Sequence, residues 1–118
     1  MLDTLPLVMD EIIVLITAGS EAEAVHISRA LVEQGLVACV NVVPGVRSIF
    51  RWEDKVTEEQ ECLLVAKTVS QAFDRVATAV KSLHSYSLPE VIALPIKSGL
   101  PEYLRWIRDA TTQIGQAS

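Results

Sequence analysis

A chain of 118 residues, half of them apolar, can bury one core, and a formal charge of −5 with a pI near 4.9 makes it acidic. Its ten lysines and arginines form no basic run, which excludes nucleic acid as the main partner. No apolar stretch is long enough to cross a bilayer, and this length points to one domain rather than two.

Residues 1–10 lack the basic start and long apolar core of a secretory leader, so the protein is expected in the cytoplasm. They read as a flexible N-terminal extension to a single domain over residues 11–118. Glu11-Ile-Ile-Val-Leu-Ile-Thr-Ala18 is a nearly continuous apolar run rich in β-branched residues, the pattern of a mid-sheet strand buried on both faces. Gly19 ends it. Ser20-Glu-Ala-Glu23 fits a capping box, with Ser20 accepting from the Glu23 amide and the Glu23 carboxylate reaching back. A helix then runs to about Gln34, with Ala24, Ile27 and Leu31 flanked by Val25 and Val32 on its apolar face, and Gly35 stops it.

Residues 37–52 read as one long strand interrupted at Pro44-Gly45, where a missing ladder donor marks a bulge, bend or edge. Glu53-Asp54-Lys55 turns the chain, and residues 56–67 return as the second strand of a β-hairpin. Thr68 or Ser70 can cap the next helix, whose stripe of Phe73, Val76, Ala77, Val80 and Leu83 keeps helical spacing. Pro89 breaks the chain. Residues 91–96 form a last strand, with Pro95 implying an unpaired edge, and Gly99 and Pro101 introduce a C-terminal helix carrying Tyr103, Leu104, Trp106 and Ile107. This order is that of an α+β, ferredoxin-like βαββαβ sandwich with a long β-hairpin and an extra C-terminal helix.

The hairpin strands are about twice as long as the first and last strands and must overhang the sheet. An overhang carrying Ile49, Phe50, Trp52 and Val56 exposes apolar surface and open strand edges, which monomers avoid. Self-association through Ile49, Phe50 and Trp52 follows, in a ring where each hairpin pairs with the next subunit. The pattern does not count the subunits.

Ala38-Cys39-Val40-Asn41, Pro44-Gly45-Val46, Ser48-Ile49-Phe50-Arg51-Trp52, Glu61, Lys67-Thr68, His84, Tyr86, Pro89-Glu90 and Tyr103-Leu104-x-Trp106-Ile107 follow one another in a specific order. With them, nearly all of residues 12–108 resembles the CutA family. The resemblance implies ferredoxin-like subunits assembled into a homotrimer, similar in architecture to the PII signalling proteins, and a role in divalent metal tolerance. Departures stand out too. Where the family usually reads His-Pro-Tyr-Glu-x-Pro-Glu, Ser85 replaces the proline and Ser87 the glutamate, and Phe50 stands where tyrosine is common.

Cys39 and Cys62 lack Cys-x-x-Cys spacing and read as small buried hydrophobes in a reducing compartment. An imidazole and a thiolate together suit copper, and Cys39 is the cysteine that belongs to the family pattern. Cys39 and His84 are therefore the candidate ligands for a copper ion, against an alternative in which His84 caps the second helix and Cys39 packs in the sheet. Lys67 either pairs with Glu90 or receives an anion, in a ligand cleft shared with Trp52 and Tyr86. Trp52 fits both a ligand wall and interface core. Glu53, Asp54, Glu58, Glu59 and Glu61 read as a solvated hairpin rim, not a metal site. No nucleophile-elbow, zinc-protease or phosphate-cradling motif is present, so a non-enzyme is expected. Three functions compete: copper-linked divalent-cation tolerance, a PII-like trimer sensing a small anion in the cleft, and a trimeric structural module without ligand.

Overall fold

Alternation along β1 (Glu11–Ala18) buries Ile12, Val14, Ile16 and Ala18, while Glu11, Ile13 and Leu15 are half covered. The run expected to be buried on both faces thus buries one face fully. The computed structural model describes residues 10–111, and residues 1–9 of the expected N-terminal extension lie outside the described residues. After β1 come α1 (Glu21–Glu33), β2 (Cys39–Trp52), β3 (Lys55–Val69), a 3-10 turn (Ser70–Ala72), α2 (Phe73–Leu83), β4 (Val91–Pro95) and α3 (Pro101–Thr111). The four strands form one sheet in the order β2-β3-β1-β4, every pairing antiparallel, with β1 in the middle as expected. β3 fills the gap between the parallel pair β1 and β2, which makes the fold a ferredoxin-like split βαβ sandwich.

The core lies between one sheet face and two helices. Ala24, Ile27 and Leu31 of α1 and Val76 and Val80 of α2 cover Ile16, Leu64 and Ala66. Val25 and Val32, expected beside them, are about two-fifths exposed and fall on the flank of α1. Ser20 Oγ accepts from the Glu23 amide at 3.1 Å, and Gly35 takes φ +72° to close the helix. Neither Thr68 nor Ser70 caps α2. Thr68 is the fully buried last inward residue of β3, where its hydroxyl donates to the Leu36 carbonyl at 2.7 Å. The opposite sheet face receives α3, tied down by a 2.6 Å ion pair between Arg108 and Glu11.

β1 runs out at Ala18 opposite Cys62, so residues 55–61 of β3 pair with β2 alone. The expected overhang is there. Between Val43 and Val46, β2 advances three residues while β3 advances two, and Gly45 takes φ +76° at this bulge. The extra residue swaps the parity of β2. Cys39, Asn41 and Val43 therefore share a face with Ser48, Phe50 and Trp52, while Arg47, Ile49 and Arg51 stand on the reverse.

The hairpin closes through Glu53 and Asp54, both at positive φ (51° and 66°). Such a two-residue turn favours Asn-Gly, because side chains other than asparagine and glycine are strained there. Replacing Glu53-Asp54 with Asn-Gly is expected to raise stability by about 1 kcal/mol. A urea midpoint that stays put or falls contradicts this.

Candidate functional site

A groove of about 710 Å³ opens where the overhang leaves the body of the sheet. Ser48, Phe50 and Trp52 of β2 and Thr57, Glu59 and Glu61 of β3 form its floor, Thr17 closes it at the end of β1, and Tyr86, Ser87, Leu88 and Glu90 form a wall. Of the expected cleft residues, Trp52, Tyr86 and Glu90 meet here, with Phe50 beside them. The floor is a direct product of the bulge, since strict alternation from Cys39 would have put Arg47 and Arg51 in these positions.

The wall is anchored by the residues that follow α2. His84 is buried; its Nε2 lies 2.7 Å from the Thr17 carbonyl, and its Nδ1 accepts the Tyr86 amide at 3.0 Å. These partners define the Nε2–H tautomer. Ser85 donates to the Glu23 carboxylate from its amide at 2.7 Å and its hydroxyl at 3.0 Å. Glu23 also lies 3.6 Å from His84 Nδ1. Burial alone would push the Glu23 carboxyl up, but the Ser85 amide and hydroxyl and the Gly19 amide hold it below its ordinary value.

So clamped, the loop lays the Tyr86 ring across the end of β1, 4.6 Å from the His84 ring. A Cβ at Gly19 would stand 3.0 Å from the Tyr86 hydroxyl, which is why the smallest residue follows β1 here. That hydroxyl donates to Glu61 at 2.8 Å. Burial first, and then the Glu61 carboxylate, push the Tyr86 pKa up to about 12, so at neutral pH the phenol keeps its proton as a donor.

Lys67 belongs to a different place. It lies six residues along β3 from Glu61, about 20 Å away, where it cannot reach Glu90 in the groove. Its ammonium instead donates to the Asn41 side-chain carbonyl and lies 3.9 Å from Cys39 Sγ. The expected Lys67–Glu90 pair is not formed, because the register carries position 67 to the opposite end of the sheet. Tyr103 of α3 completes this second cluster, its hydroxyl pushed up by burial and by the neighbouring Cys39 sulfur.

The same register separates the two candidate copper ligands. Cys39 pairs with Lys67, while His84 grips Thr17 opposite Leu63, about 13 Å further along the sheet. Both imidazole nitrogens of His84 are occupied within the chain, and an ammonium stands beside Cys39. Within one chain these residues do not fit a shared metal ion. Among the described residues no three His, Cys, Asp or Glu side chains gather to hold one. Both cysteines are free; Cys62 is buried as expected, whereas Cys39 is only half-buried.

Sequence reasoning missed Glu23, Thr17, Ser48 and Thr57. Glu23 carried a signal, because a proline at position 85 would have no amide to give it and Ser85 does. Thr17 acts through its backbone carbonyl, which no residue pattern announces.

Comparison with known proteins agrees with this architecture. The family model described as CutA1 divalent ion tolerance protein matches residues 12–110. The divalent-cation tolerance protein CutA of Thermus thermophilus is 52% identical over 101 residues, covering 86% of this chain and 98% of that protein. Its solved structure superposes with a TM-score of 0.84. The structure of the protein from Archaeoglobus fulgidus, described as a periplasmic divalent cation tolerance protein, is 40% identical with a TM-score of 0.83, covering 86% of this chain and 98% of that one. Protein CutA of Mus musculus is 39% identical over 86% of this chain, which spans only 58% of that longer protein. The overhanging hairpin, the groove at its root and all but the last residue of the third helix fall inside the matched residues, and the chain belongs to the CutA1 divalent ion tolerance protein family.

Proposed function

We propose that the chain acts in divalent-cation tolerance as a cytoplasmic, non-catalytic homotrimer. The observation that carries this reading is the overhang: among the described residues, 55–61 have no ladder partner on one side, and Ile49 (65% exposed) and Val56 (69% exposed) stand in the open. An edge of this kind with such side chains asks for a neighbouring chain. The half-covered sheet face of Ile13 and Leu15 adds to the same demand. The names of the relatives support the role. Light scattering at micromolar concentration is expected to return three times the chain mass, and a stable soluble monomer removes the reading.

In this proposal copper is a cargo that engages Cys39, a half-buried residue with a soft sulfur ligand, more than the Cys39–His84 pair. Titration with Cu(I) is expected to lose its binding signal in Cys39→Ser and to keep it in His84→Ala, with Mg²⁺ giving none. Binding lost in a folded His84→Ala variant instead restores the pair. Such a result would require ligands from different subunits.

A second reading, a PII-like trimer that senses a small molecule, is favoured by the groove itself. Its volume and mixed aromatic and polar lining suit a ligand. The charge expected of that ligand changes sign, because Lys67 is absent from the groove and three glutamates are present.

A further inference from the structure

We propose that the groove binds a small organic cation presenting a guanidinium or primary ammonium group. The inference rests on the second reading above and names the ligand class for that site. Its lining contains Glu59, Glu61 and Glu90 and no lysine, arginine or histidine. An anion would meet three carboxylates there and no side-chain cation to offset them.

Glu61 is the decisive residue. It is 7% exposed, and the partner it has is the neutral Tyr86 hydroxyl; no ammonium or guanidinium forms an ion pair with it among the described residues. Tyr86 does not neutralise it, since the phenol holds its own proton far above neutral pH. A buried carboxylate without a cationic partner is costly, and a cation entering the groove removes that cost.

The aromatic lining decides between organic and metal cations. Phe50, Trp52 and Tyr86 present ring surface to the same space as the carboxylates, and ring faces attract weakly hydrated organic cations, whereas a divalent metal ion needs several converging oxygens. The carboxylates do not gather closely enough to supply them. At about 710 Å³ the space takes a ligand of several carbons, not a bare ion.

Agmatine, which carries a guanidinium and a primary ammonium, is the probe. Calorimetric titration into the wild-type assembly, with its mass measured in the same sample, is expected to show saturable binding. Glu61→Gln should weaken it by about tenfold, the loss of one charge-assisted hydrogen bond, and so should the less buried Glu90→Gln, which guards against a folding defect at Glu61. Lys67→Ala should leave it unchanged. Glutarate, a dicarboxylate of similar length, should not bind. The proposal is overturned by glutarate binding as tightly as agmatine, by indifference to both glutamine variants, or by Mg²⁺ competing for the site. It is also overturned if wild type refuses agmatine and Arg51→Ala accepts it, because a neighbouring copy's exposed arginine then fills the groove. A trimer that does not bind sinks this inference alone, and a monomer that binds sinks only the assembly reading.

Discussion

Replacing Trp52 with alanine is expected to shift assembly toward single chains, weakening each subunit contact by about 3 kcal/mol. Trp52 is 47% exposed in the single chain, at the far end of a two-stranded ribbon that pairs with no third strand among the described residues. Large aromatic side chains in such places are where interfaces concentrate their free energy. Mass measured across a dilution series checks this: the variant should dissociate at concentrations where wild type stays intact. If mass and melting temperature both stay as in wild type, Trp52 belongs to the groove alone, and agmatine affinity then becomes its one readout.

Glu23→Gln is expected to lower stability by about 2 kcal/mol near neutral pH and to flatten the acid limb of the stability profile. The carboxylate accepts two hydrogen bonds from Ser85, and charged acceptors of this kind contribute about 1.5–3 kcal/mol each before desolvation is subtracted. The direction with pH follows from the lowered pKa. A carboxyl whose folded value lies below its ordinary 4.5 stabilises the fold fully above that value and loses the contribution as pH falls through the lowered one. Wild type should therefore weaken progressively below about pH 4.5, and the glutamine variant should not share that component. Urea midpoints at pH 7 and pH 3 measure both effects. Equal losses for the two proteins between these pH values would show that ionisation of Glu23 adds nothing to the acid limb, and equal midpoints at pH 7 would show that the Ser85 clamp contributes nothing.

Much of the fold is legible in the residues themselves. Ser20, Gly35 and Pro101 bound their helices, Pro44-Gly45 marks the bulge, and the unequal strand lengths imply the overhang. What was not legible depends on register. Which face Phe50 and Trp52 occupy turns on one extra residue in β2, and Lys67 misses Glu90 because alternation fixes a side but not a position along the strand. The Glu23 carboxylate looked like half of a local capping box. Its actual partner lies 62 positions away and competes better, since an amide and a hydroxyl together offer more than the single amide of Ser20.

The topology also sets the sequence of events during folding. β2 and β3 are joined by two residues and can zip together within microseconds, whereas β1 must be threaded between β3 and β4, the latter some eighty positions distant, after slow loop closure. The element that seeks a neighbouring chain is thus complete before the core that should orient it. A crowded population of newly made chains would meet hairpin first, and exchange of hairpins between half-folded molecules is the error this architecture invites. Dilute refolding should therefore give a cleaner product than concentrated refolding, even though the finished assembly is favoured by concentration.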